Sequence, residues 1–241
     1  MFWSITRYAD SHFLANIYNS KTYSKSIFLR KTVIHTIRGE NEEELPSLWP
    51  TDSVIVYQQF PFRMRSDTFY GDKVDCICQD SNRVYINNHL TKYKTIRLGE
   101  YRGNQIEERL EVSFFDPIIG WQGISDQIPI VGKDTLYENI ECFKVTQTSW
   151  YNRHHEHLIQ KSNYRLLFSL SKNENGSLIS QTFYKNHQVV QGITYPFTEI
   201  HDMYFGNQIG RTAHEVSYVL FNAPQPSVGL YDCMLKSVEI K

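Results

Sequence analysis

YRLLFSLSKNENGSLISQTFY, residues 164–184, is the stretch whose reading decides the fold. Two β-rich runs flank Asn175-Gly176, and both residues of that pair tolerate the positive φ that a tight hairpin turn requires. The stretch therefore predicts two neighbouring antiparallel strands. Outward from it the same grammar recurs. In EERLEVSFF, residues 107–115, Leu110, Val112 and Phe114 alternate with Arg109, Glu111 and Ser113, the period of a sheet with one wet face. Val54–Tyr57, Val84–Ile86, Tyr93–Leu98 and Val216–Phe221 are further short runs of β-branched and aromatic residues between turn signals. Helical periodicity is scarce after Pro50. Residues 51–241 are expected to form a single mainly antiparallel β domain, sandwich or barrel, with a few short helices.

The first 50 residues read differently. Arg7, Lys21, Lys25, Arg30, Lys31 and Arg38 stand against one acid, Asp10, before ENEEE at 40–44 reverses the sign. Behind Asp10-Ser11, a capping pair, Phe13, Leu14, Ile17 and Tyr18 recur at helical spacing. These features predict an N-terminal basic arm with a short helix, followed by an acidic connector.

Composition narrows the functional classes. A chain of 241 residues that is 41% hydrophobic can bury one substantial core. Lys+Arg 25 against Asp+Glu 26 supplies no basic field for nucleic acid or an anionic membrane, so neither partner is expected. Apolar windows such as Leu166–Leu170 fall far short of the roughly 20 residues of a membrane helix. The N-terminus lacks a basic-then-apolar signal pattern, and a cytoplasmic protein is expected. The four cysteines are too few for a disulfide scaffold and are expected as buried thiols. Cys76 and Cys78 share a strand face, but Cys142 and Cys233 do not form the second pair that a zinc site needs.

The segment with the most chemistry-bearing side chains is WYNRHHEHLIQK, residues 150–161. On a strand, His155 and His157 share one face while His154 and Glu156 share the other, so two imidazoles at most converge locally. A third ligand would have to come from His187, His201 or His214. The cupin pattern fails because Lys161 and Ser162 stand where a glutamate is required, and the zincin pattern fails at Ile159. No metal is expected, and the segment reads as an exposed polar strand before Leu158-Ile159. The chain has no nucleophile elbow, dinucleotide loop or P-loop. Glu107-Glu108, His201-Asp202 and His214-Glu215 are sequence neighbours that a strand sends to opposite faces. No catalytic residue and no cofactor is expected. In QQFPFRMRSDTFY, residues 58–70, Arg63 and Arg65 lie two apart and could grip a phosphate or carboxylate; Arg153 is the other candidate ligand-binding arginine.

Two functional readings follow. Near-zero net charge, 16 tyrosines and the lack of catalytic motifs suit a non-enzymatic structural protein that packs against copies of itself through tyrosine-rich contacts. In size and in this tyrosine-rich, near-neutral character the chain resembles the cypovirus polyhedrins. That resemblance implies a β-sandwich with an N-terminal helix, assembled as a viral occlusion-body matrix. The alternative is a calycin-like β-barrel that binds a small apolar ligand, or acts on it as a lyase or isomerase, with Arg63, Arg65 or Arg153 orienting a ligand carboxylate. Trp3 is compatible with the tryptophan at the closed end of such barrels, although its surroundings lack the expected Gly-x-Trp.

Overall fold

The computed structural model describes residues 26–38, 44–46, 52–59, 63–70, 73–79, 83–88, 92–97, 130–148, 152–206 and 208–223. The expected N-terminal helix, the alternation at 107–115, Trp3 and Cys233 all lie outside them. The described residues contain strands and turns and no helix, hence no helix able to cross a membrane.

The strands in chain order are β1 (Ser26–Arg38), β2 (Glu44–Pro46), β3 (Asp52–Gln59), β4 (Arg63–Tyr70), β5 (Lys73–Gln79), β6 (Arg83–Asn88) and β7 (Lys92–Arg97). After them come β8 (Ile130–Val131), β9 (Thr135–Tyr137), β10 (Ile140–Thr148), β11 (His154–Gln160), β12 (Leu166–Lys172), β13 (Leu178–Val190), β14 (Ile193–Phe205) and β15 (Gln208–Phe221). All belong to one antiparallel sheet in the order β7-β6-β5-β4-β3-β1-β15-β14-β13-β12-β11-β10-β8, with β2 beside β1 and β9 beside β10. The architecture is mainly antiparallel β, as the alternation predicts, and it runs as one open path with two ends.

Most neighbours in the sheet are neighbours in sequence, and the turn residues show why. Between β12 and β13, the Asn173 carbonyl accepts from Gly176 N at 2.9 Å, and the Asn173 side chain accepts from the amides of Asn175 and Ser177. Gly176 alone takes positive φ, at 80°, so the predicted tight turn is a three-residue loop ending in a glycine bulge. Glu138-Asn139 and Gln191-Gly192, each pair with both φ positive, close two-residue turns into β10 and β14. One junction is not local. β1 pairs with β15 through Ile27↔Phe221 to Arg38↔Ile209, and with β3 through Ser26↔Gln59 to Val33↔Asp52. Residues 26–38, placed by charge in an N-terminal arm, thus form the strand that joins the β3–β7 part of the sheet to the β8–β15 part.

Cross-strand partners share a face, so the registers assign each side chain to one side of the sheet. One face, here called the histidine face, carries two buried apolar clusters. Ile27, Leu29, Ile193, Tyr195, Val216, Val219 and Phe221 form the larger, with Val56, Val190 and Phe197 packed on it. Val145, Ile159, Leu166 and Tyr184 form the second, joined by Val131, Phe143 and Tyr164.

Candidate functional site

β11 alternates between exposed or half-buried and buried positions along HHEHLIQ, and His155, His157 and Ile159 take the buried ones. The face assignment matches the strand reading, but the expectation of an exposed polar segment is corrected: His155 and His157 are each 4% exposed. Local alternation says which side chains share a face. Whether that face meets water is set by the rest of the sheet.

The registers then assemble a polar band on this face. His155 is opposite Gln147 on β10 and Ser171 on β12, and Ser171 in turn is opposite Ser180 on β13. One row along, His157 is opposite Val145 and Ser169, Ser169 is opposite Thr182, and Thr182 is opposite His201, itself opposite Thr212. The next row brings Tyr184 against Glu199 and Glu199 against His214. Each imidazole has a cross-strand oxygen partner. Ser171 Oγ and His155 Nδ1 hydrogen-bond at 2.7 Å, His157 Nδ1 and Ser169 Oγ at 2.8 Å, and Thr182 Oγ1 and His201 Nδ1 at 2.8 Å. His214 Nδ1 lies 3.4 Å from Glu199 Oε2 and 3.2 Å from Lys31 Nζ. The side chain of Gln147, 6% exposed, points into this band, and its buried Nε2 has no hydrogen-bond partner among the described residues.

Burial sets the charge state of the band. It pushes the His155 imidazole down to about 4, with the charges of Arg153 and His154 adding to the effect, and the ring is neutral at neutral pH. His201 is lowered by burial and then by His214, against the pull of Asp202 and Glu199. Burial pushes the Glu199 carboxyl up, but the hydrogen bond with His214 and the charges of Lys31, His214 and His201 outweigh it and hold the group below the usual range. The band thus combines a neutral imidazole at His155 with hydroxyls and one compensated carboxylate at Glu199.

The band occupies one half of the histidine face. Along β14 the face runs from Ile193, Tyr195 and Phe197 to Glu199 and His201; along β15 it runs from Phe221, Val219 and Val216 to His214 and Thr212. Along β11 it runs from Ile159 to His157 and His155, and along β10 from Phe143 and Val145 to Gln147. Both apolar clusters therefore lie toward the same edge of the face, and the polar band lies toward the other.

The remaining expected site residues are placed elsewhere. Arg65 is buried on the opposite face, where its Nε donates to both carboxylate oxygens of Asp67 at 3.0 and 2.9 Å. Burial raises that carboxyl to about 6 against the pull of Arg65. Arg63 stands in β4 opposite Gln59. Arg153 is half-buried just before β11, close enough to disfavour charge on His155. His187 is on the opposite face from the band, with Nε2 2.9 Å from the Leu166 carbonyl oxygen. Among the described residues no set of three or more His, Cys, Asp or Glu side chains is placed to hold a metal ion. Cys76, Cys78 and Cys142 are buried free thiols.

No protein-family model matches the sequence, and no curated protein matches it either. Solved structures do resemble its fold. A LolA superfamily protein from Nitrosomonas europaea has a TM-score of 0.63 at 11% identity, covering 91% of this chain and 97% of that one. A domain named for outer membrane lipoprotein sorting, from Vibrio parahaemolyticus, has a TM-score of 0.60 at 10% identity over 90% of this chain and 94% of its own. A DUF1329 family protein from Desulfovibrio piger has a TM-score of 0.63 at 10% identity over 91% and 98%. The chain thus shares its fold with LolA superfamily, lipoprotein-sorting-type and DUF1329 structures, a finding that overturns the polyhedrin resemblance and the self-assembling occlusion-body reading that went with it.

Proposed function

We propose that this protein binds an apolar ligand bearing an acyl chain on the histidine face of its sheet. The observation that carries the reading is the pair of apolar clusters toward one edge of that face, one around Tyr195 and Phe221 and the other around Val145 and Ile159. An acyl chain laid along it is removed from water, at about 0.8 kcal/mol per buried methylene. The shared fold with a domain named for lipoprotein sorting supports the same reading. Both favour the apolar-ligand alternative from the sequence over the matrix protein. No catalytic constellation is needed for this role. Of the arginines singled out in the sequence, Arg153 is the one beside the band, and we assign it to the rim of the ligand site.

The test is titration of the purified protein with a dansyl-labelled fatty acyl probe, followed by displacement with monopalmitoylglycerol. Saturable, blue-shifted fluorescence that the unlabelled ligand displaces is the expected result. Fluorescence that rises without saturation, or that resists displacement, refutes the assignment.

A further inference from the structure

The division of the histidine face into an apolar and a polar half has a consequence for which apolar ligand fits. A pure hydrocarbon would satisfy the apolar half and leave the buried Gln147 Nε2 without an acceptor. An anionic head would arrive at the buried His155 imidazole, which carries no charge at neutral pH and offers it no compensating cation. A neutral head with hydrogen-bond acceptors meets neither difficulty. The Gln147 Nε2 is a buried donor lacking a partner among the described residues, in register with His155 and on the same face. A buried amide nitrogen in this state carries a desolvation cost that an incoming acceptor removes.

We propose that the polar half of this face is a subsite for the neutral acyl carbonyl of an ester or amide, with Gln147 Nε2 as the donor to the carbonyl oxygen and the His155–Ser171 pair holding the adjoining wall. The proposal rests on the acyl-binding reading above and adds to it the chemical class of the head and the orientation of the ligand: chain along Val145, Ile159 and Tyr184, carbonyl toward Gln147. The hydroxyl–imidazole pairs position the subsite without themselves reacting, and no bond is made or broken.

The experiment compares monopalmitoylglycerol with hexadecylglycerol ether, which has a similar chain and the same glycerol but no carbonyl, and with palmitate, all by displacement of the dansyl-labelled acyl probe. The wild-type protein should bind the ester about tenfold more tightly than the ether, the effect of one hydrogen bond to a buried donor, and palmitate should not exceed the ester. In Gln147→Met, which keeps the length of the side chain and removes the donor, the ester should lose most of that advantage while the ether keeps its affinity. Ser171→Ala, which frees His155 from its hydroxyl, gives a second and milder variant should the first fold poorly, and it should also narrow the ester preference. Circular dichroism confirms the fold of each. Equal affinity for ester and ether in the wild type overturns the subsite and leaves the acyl-binding reading standing. An ester preference unchanged in a folded Gln147→Met, or palmitate bound most tightly, overturns it as well. Failure of every ligand to displace the probe removes the acyl-binding reading, and the subsite with it.

Discussion

His155 shows how a single side chain couples the band to solution conditions. Its ring is 4% exposed, and burial lowers its affinity for a proton from an ordinary value of 6.5 to about 4. A histidine with a lowered folded-state pKa contributes stability that is present above its unfolded pKa and lost as pH falls toward the folded one. Over that interval the unfolded chain takes up the proton and the folded chain does not, a difference worth ~3 kcal/mol for a group this deeply buried. His201 and Glu199, both lowered, lose stability in the same direction, whereas Asp67, raised by burial, gains it as pH falls. His155→Phe separates the one term from the rest, because the other groups are common to both proteins. The stability difference between wild type and variant, from urea midpoints at a series of pH values, should shift toward the variant by ~3 kcal/mol between pH 6.5 and 4. A pH-independent difference would show that the folded protein takes up the proton as readily as the unfolded chain.

At the level of elements, the turns carry most of the topology and can be tested where nothing else intervenes. Gly176 holds φ at 80°, and a Cβ built there meets no atom within 4 Å, so the cost of Gly176→Ala is backbone strain alone. A loss of about 1 kcal/mol is expected, read as a shift in the denaturant midpoint with an unchanged slope. This hairpin was legible because Asn175-Gly176 sits between two β-rich runs, and the split of His155 and His157 from His154 and Glu156 was legible from period two alone. The turn at Gln191-Gly192 was less so. Gln191 adopts φ 51° although glutamine is not a turn residue by preference, and its Oε1 accepts from Phe221 N at 2.8 Å, a contact set by tertiary structure. The binding face was hidden for a related reason. Gln147, Ser169, Ser171 and Thr182 look like the wet side of their strands, and only the register across β10 to β14 shows that they line a buried band. β1 is masked in the sequence because its charges, Arg30, Lys31 and Arg38, continue the basic run of the N-terminus and obscure the alternation of Ile27, Leu29 and Val33.

For the whole molecule, β1 is the element on which continuity depends. It supplies Ile27 and Leu29 to the larger apolar cluster and is the link in the sheet between β3 and β15. The charge pattern groups these residues with an N-terminal basic arm, and the pairing makes Ser26–Arg38 integral to the sheet. Proline substitution distinguishes the two situations. A strand flanked on both sides uses every backbone N–H in one ladder or the other, so Leu29→Pro removes a hydrogen bond, disturbs both partners and opens the core around Val219 and Val56, with a cost of at least ~3 kcal/mol. Leu136 in β9 is the matched control. It is 68% exposed, β9 pairs among the described strands only with β10, and the two-residue turn after Tyr137 puts Leu136 in a non-hydrogen-bonded pair whose N–H points away from the partner strand. Leu136→Pro should cost less than about 1 kcal/mol. In thermal unfolding followed by circular dichroism, Leu29→Pro is expected to abolish the cooperative transition or move it far below that of the wild type, and Leu136→Pro to leave it nearly in place. Comparable, small shifts for both would mean that β1 is peripheral after all, and that the two parts of the sheet, with the apolar half of the binding face, hold together without it.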